Sequence, residues 1–261
     1  MTFFNHQGIH LHYQWSYSGK KETFVFINAL GTDFRIWDEV AAHLRQHGNI
    51  LRFDKQGHGL SSLTDKTSKL EDYMEDLLHL VRYLKVGKFN LIGLSVGGMI
   101  AQLMAHHHPS LIGNLILCNT RHKIGDTAGW NNRIQQVELS GVAGIAGTVL
   151  QRWFPEHFWA KCPEMMAGIR TMLERCNTAG YIQTCKAIRD ADLTEISKQI
   201  KHRTLCVAGS EDLSTTVEDV KGLADLIPGS RFEIIQRSGH LPCVDNSEKI
   251  SSLILDFIKP S

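Results

Sequence analysis

Apolar and polar positions alternate near the amino terminus: Ile9, Leu11, Tyr13 and Trp15 fall on one face at period two, with His10 and His12 on the opposite, solvent-facing side. Together with Phe3 and Phe4 and a turn around His6-Gln7-Gly8, this predicts a hairpin. The period then changes. Thr23 to Asn28 (TFVFIN) is apolar without alternation, the pattern of a strand buried on both sides in a parallel sheet. Between 33 and 47, Ile36, Trp37, Val40, Ala41 and Leu44 recur at helical spacing. A strand follows at Asn49 to Phe53 (NILRF), then a helix from Ser68 to Lys85 with Tyr73, Leu77, Leu80, Val81 and Leu84 on one side. Leu91 and Ile92 begin a strand that breaks at Gly93, turns sharply, and resumes as a helix ending near Pro109; a further strand spans Leu115 to Cys118.

This alternation of strand and helix predicts a doubly wound parallel sheet that binds ligands at the carboxyl ends of its strands. The rhythm stops at Asn119. From Arg121 to Arg189 the pattern is helical and irregular, with a glycine-rich piece (GVAGIAG, 141–147) and aromatics at Trp153, Phe154, Phe158 and Trp159. An inserted helical cap is expected over 121–190, dividing a core made of 1–120 and 191–261. Strands return at Thr204 to Ala208 and Arg231 to Ile235, with helices at 216–227 and 247–258, for eight strands in all.

Composition narrows the choices. A chain of 261 residues suffices for one large domain with its own core. With 43% hydrophobic residues, 21% charged and a formal net charge of +1, neither disorder nor a nucleic-acid partner is expected. No stretch reaches the roughly 18 consecutive apolar residues of a membrane span. The amino terminus lacks the basic start and long apolar run of a secretory leader. Cys118, Cys162, Cys176, Cys185, Cys206 and Cys243 show no C-x-x-C spacing and read as reduced, mostly core thiols of a cytoplasmic protein.

The candidate chemistry centres on Gly93-Leu94-Ser95-Val96-Gly97, a Gly-x-Ser-x-Gly turn between a strand and a helix. Such a turn exposes a serine hydroxyl at the sheet edge, beside the free N–H groups of a helix start. A serine nucleophile needs a base, and the base an acid to orient it. Asp212 and His240 follow the last two predicted strands, so Ser95, Asp212, His240 occur in the chain order of an α/β-hydrolase. Glu211 is the alternative acid. For the oxyanion, the N–H of Val96 and one from the loop Asn28-Ala29-Leu30-Gly31 are the expected donors, with Leu30 preferred. His106, His107 and His108 occupy consecutive helical positions about 100° apart and cannot converge on a metal. His58 and Asp54 read as loop-fixing residues, and Trp130, Trp153 and Trp159 as packing. No metal or cofactor is expected.

The runs NALGTDFRIWD, RFDKQGHGLSS, GLSVGGMIAQ, LCNTRHKIGDTAGWNNRI, RWFPEHF, GYIQTCKAIRDADL and SGHLP resemble the 3-oxoadipate enol-lactonases over nearly the whole chain. That resemblance implies a cofactor-free hydrolase that opens a small anionic lactone, with Arg133 binding the substrate carboxylate and Trp130 and Trp153 as apolar walls. Three departures stand out: Val96 where the family usually has methionine, Gln56 where arginine commonly precedes Gly-His-Gly, and the basic triplet Arg121-His122-Lys123. The first bears on pocket shape, the second on a loop, the third on access for an acidic substrate. The rivals are another esterase, a carbon–carbon hydrolase or perhydrolase with the same triad, and a receptor built on this fold.

Overall fold

A computed structural model describes residues 1–6, 8–64 and 69–259. Gln7, in the expected hairpin turn, and Ser68, at the expected start of the second helix, lie outside them. Among the described residues eight strands, β1 (Thr2–His6), β2 (Ile9–Ser16), β3 (Glu22–Ile27), β4 (Gly48–Phe53), β5 (Phe89–Leu94), β6 (Ile112–Cys118), β7 (Arg203–Gly209) and β8 (Arg231–Ile235), form one sheet in the order β1-β2-β4-β3-β5-β6-β7-β8. β1 and β2 pair antiparallel, as do β2 and β4; every later pair is parallel. The unbroken apolar strands sit where their sequences require: Phe24 to Ile27 and Leu91 to Ile92 are fully buried between helical layers.

Of the helices, α1 (Asp38–Leu44), α2 (Leu70–Tyr83) and α3 (Val96–His107) follow the first parallel strands. Between β6 and β7 lie α4 (Thr127–Trp153), α5 (Glu156–Lys161), α6 (Pro163–Glu174), α7 (Thr178–Asp190) and α8 (Thr194–Gln199), and α9 (Val217–Leu226), α10 (Pro242–Asp245) and α11 (Ser247–Ile258) complete the chain. α1 packs on α11, whereas α2, α3, α8 and α9 pack in succession, so both faces of the sheet are covered. α4 packs on both α6 and α7 in this helical insertion, the cap. The glycine-rich piece explains the irregularity there: Gly141, at φ 67° and ψ 178°, kinks α4.

Two expectations need correction. The helix over 33–47 is a 3-10 turn at Phe34–Trp37 followed by α1, because the Asp33 carboxylate caps the turn by accepting from Arg35 N at 3.0 Å. His12 does not face solvent freely: its Nδ1 lies 2.8 Å from Asp54 Oδ2. Asp54 also accepts from Phe34 N (2.8 Å) and Leu60 N (3.0 Å), so it does fix the loop after β4.

Candidate active site

β5 ends at Leu94 and α3 begins at Val96, leaving Ser95 to make the turn alone at φ 57° and ψ −122°. A non-glycine residue reaches that region only under constraint. The constraint is visible: Ser95 N donates to Cys118 O at 3.0 Å, and Ser95 O accepts from Thr120 Oγ1 at 2.6 Å and Gly98 N at 2.8 Å. Gly93 and Gly97 are required by close approach, since a Cβ on Gly93 would run into Gly97 O and one on Gly97 into Ile27 O.

The two later strand ends bring Asp212 and His240 together. His240 Nδ1 lies 2.7 Å from Asp212 Oδ2, with both side chains almost fully buried. Glu211, by contrast, faces His157 at 3.8 Å. Asp212 accepts further hydrogen bonds from Asn119 Nδ2 (2.7 Å), Thr215 Oγ1 (2.8 Å), Ser214 N (2.7 Å) and Thr215 N (3.1 Å). Burial pushes its carboxyl up, but the adjacent His240 and these donors outweigh burial and hold it below the usual carboxylate value. The loop carrying His240 is pinned by Asp245, which accepts from Ser238 Oγ (2.5 Å) and Gly239 N (2.6 Å). His240 N donates to Trp153 O in the cap at 2.7 Å.

Ser95 and His240 open into one cavity of about 230 Å³ beneath the cap. Leu30, Trp130 and Trp153 form apolar parts of its wall, and Arg133 lines it from α4. Trp159 does not reach it; its Nε1 donates to Phe154 O at 3.2 Å. The Val96 side chain is fully buried and is not part of the lining, so its replacement of methionine does not reshape the cavity wall directly. Among the described residues, the N–H groups of Leu30 and Val96 donate to no protein acceptor. The constellation therefore combines a hydroxyl, an imidazole oriented by a carboxylate, and two free backbone donors, the set that acyl transfer needs.

Sequence reasoning passed over several contributors. Asn119 follows β6 directly and had the same strand-end signal as Asp212 and His240. Tyr181, fully buried on α7, accepts from Arg133 Nη1 at 3.1 Å, a contact spanning the cap that no local pattern reveals. The arginine and lysine of the basic triplet are committed elsewhere: Arg121 Nη1 donates to Asp219 Oδ1 at 2.6 Å and Lys123 Nζ to Asp192 Oδ2 at 3.1 Å. Gln56 is buried and donates to Asp76 Oδ2 at 3.0 Å, so that substitution alters the core as well as a loop. Among the described residues no cluster of three His, Cys, Asp or Glu side chains is arranged to hold a metal ion, and no helix is long and apolar enough to cross a membrane.

The family model for the alpha/beta hydrolase fold matches residues 22–247. 3-Oxoadipate enol-lactonase 1 of Acinetobacter baylyi is 30% identical over 98% of this chain and 95% of its own length. The crystal structure of the enol-lactonase from Burkholderia xenovorans LB400 superposes with a TM-score of 0.95 at 30% identity, covering 98% of this chain and 99% of that one. A malate-bound thermophilic esterase from Thermogutta terrifontis superposes at 0.91 with 25% identity over 98% of this chain and 96% of its own. The chain belongs to the α/β-hydrolase family, a hydrolase similar to the enol-lactonases over almost its whole length.

Proposed function

We propose that this protein is a serine hydrolase that opens 3-oxoadipate enol-lactone to 3-oxoadipate, with Ser95, Asp212 and His240 as its triad. The observation that carries the substrate class is Arg133, a cation in the wall of the cavity that holds Ser95 and His240. Arg152 also lines that cavity, but its Nε and Nη2 are engaged with Leu213 O at 3.1 and 2.7 Å. Asp126, the acidic residue nearby, caps α4 by accepting from Gly129 N at 2.7 Å. A guanidinium in an otherwise largely apolar chamber favours a small substrate with a carboxylate.

In this reading His240 Nε2 takes the Ser95 proton as the hydroxyl attacks the ring carbonyl, while Asp212 holds the imidazole by its other nitrogen. The oxyanion receives the N–H groups of Leu30 and Val96. Collapse breaks the ring C–O bond and releases an enolate oxygen, which takes the proton from His240 and tautomerises to a ketone while its carbon chain remains acylated to Ser95. His240 then deprotonates water, which attacks the acyl carbonyl; collapse breaks the bond to Ser95 Oγ, which takes the proton back from His240, and frees the second carboxylate. Arg133 stays with the first carboxylate throughout, with Trp130 and Trp153 beside the ring. The name of the Acinetobacter relative supports the same substrate, and that of the Burkholderia structure supports an enol-lactone.

The test is turnover of 3-oxoadipate enol-lactone by wild type and Ser95→Ala, with a neutral aryl acetate for comparison. Lactone opening that is lost in the variant and far exceeds ester cleavage is the expected result. Ester cleavage with no preference for the lactone would defeat the substrate assignment and leave the serine chemistry standing.

A further inference from the structure

Lys55 follows β4 and is completely buried, with no solvent reached by any part of the side chain. Its Nζ donates to Ala29 O at 2.6 Å, and among the described residues this is its one hydrogen bond and no carboxylate lies within ion-pair distance. An ammonium in that state is costly to keep, and a neutral apolar residue of the same length would serve packing better. Burial accordingly lowers its pKa to about 7, opposed by Cys176, Asp54 and Asp33, while the neighbouring buried His58 is itself depressed well below its ordinary value.

The acceptor it holds belongs to the peptide that joins Ala29 to Leu30. Ala29 O also accepts from Thr32 Oγ1 at 3.0 Å and Thr32 N at 3.4 Å. That peptide is trans, so its N–H points opposite to its carbonyl. A carbonyl drawn towards Lys55 on the buried side therefore turns the Leu30 N–H the other way, and Leu30 shares the cavity with Ser95 and His240. Hydrogen bonding at the carbonyl also polarises the amide and makes its N–H a stronger donor.

We infer that Lys55 is a positioning residue for the oxyanion site: its buried ammonium fixes and polarises the Ala29–Leu30 peptide so that the Leu30 N–H is aimed at the charge developing on the substrate carbonyl. The inference rests on the serine-hydrolase reading above. It explains why a buried cation is kept without a partner anion, since the negative charge it complements exists only during the reaction and lies one peptide away. Lys55 acts on the transition state and leaves substrate recognition alone.

The experiment compares wild type, Lys55→Met, Lys55→Gln and Ser95→Ala in aryl acetate hydrolysis, thermal melting and inhibition by phenylboronic acid, which forms a tetrahedral boronate on a nucleophilic serine. Lys55→Met is expected to lower kcat roughly 10–100-fold, less than or comparable to the loss of an oxyanion donor. KM stays within about twofold and boronate affinity falls in parallel with kcat. The variant melts no lower than wild type, because a buried charge has been removed. Lys55→Gln, which keeps a donor without the charge, is expected to fall between the two, and it carries the test if the methionine variant does not fold. Unchanged kcat and boronate affinity in a folded Lys55 variant overturn the inference, as does a loss of stability with kinetic constants intact. Activity surviving in Ser95→Ala instead defeats the serine reading itself, a separate outcome.

Discussion

Arg133 Nη1 donates to the hydroxyl of Tyr181 at 3.1 Å, joining α4 to α7 across the roof of the cavity. Tyr181 is fully buried, and burial raises its hydroxyl well above the ordinary value, so it stays protonated and acts as the acceptor that aims the guanidinium. Removal of the cation by Arg133→Met is expected to raise KM for an anionic lactone roughly 10–100-fold, the size of a charged hydrogen bond, and to leave KM for a neutral aryl acetate nearly unchanged. Tyr181→Phe keeps the charge and loses only the aim, so its effect has the same direction and is smaller. Steady-state kinetics on the two substrates checks both.

Asn119 donates to Asp212 Oδ2 at 2.7 Å and to Gly239 O at 3.1 Å, tying the acid to the loop before His240. Asn119→Ala is expected to lower kcat about tenfold while Ser214, Thr215 and His240 still hold the carboxylate. It also removes one of the donors that depress the Asp212 pKa. A depressed carboxylate stabilises the fold above its unfolded pKa and loses that contribution as pH falls through the folded value. With the depression reduced, acid unfolding of the variant starts at higher pH, which a circular-dichroism titration measures.

Asp76 gives the opposite sign. Burial, with Asp72 adding to it, pushes its carboxyl up to about 7, and the amide of Gln56 offsets this only in part. A carboxyl raised above its unfolded value of 3.8 contributes stability below that value and loses it as pH rises through about 7. Asp76→Asn should therefore melt a few degrees higher than wild type at pH about 8 and differ little at pH about 4. Melting curves at the two pH values decide it; equal shifts at both would show that ionisation is not the cause.

Gly31 sits in the loop of Leu30 at φ 75°, where a Cβ would come 2.5 Å from Leu173 Cδ1 and 3.0 Å from Tyr181 Cε2. Gly31→Ala is expected to cost about 1–3 kcal/mol in folding stability through strain and overpacking. Because the displaced loop carries Leu30, kcat falls as well. Chemical denaturation and ester turnover measure the two effects independently.

How much of this was legible in the chain depends on the range of the interaction. Ser95, Asp212 and His240 each follow a strand, and the parallel order sends those strand ends to one edge, so local pattern sufficed to anticipate that Asp212 meets His240 and that Ser95 and His240 share a cavity. The same logic applied to β6 would have found Asn119. The pairing of His12 with Asp54, in contrast, joins a hairpin to a loop 42 positions later, and alternation alone put His12 on a wet face. Lys55 carried no signal of burial, because hydrophobic periodicity treats a lysine in a loop as solvated. Gly141 marked irregularity, though not that two helical segments would meet there at a non-helical kink.

The carboxyl end of α4 is attached to the core at two places: Trp153 O accepts from His240 N at 2.7 Å, and Arg152 reaches Leu213 O, next to Asp212. α7 is tied to the core as well, through Thr184 to the Tyr73 hydroxyl at 2.8 Å and Gln183 to Thr64 O at 3.0 Å, so displacement of the cap is opposed on both sides of the cavity. Motion at the seam itself would drag the histidine and aspartate loops along. The roof and the proton-transfer pair thus share one mechanical anchor, and damage to that anchor would silence the enzyme while the sheet beneath stayed folded.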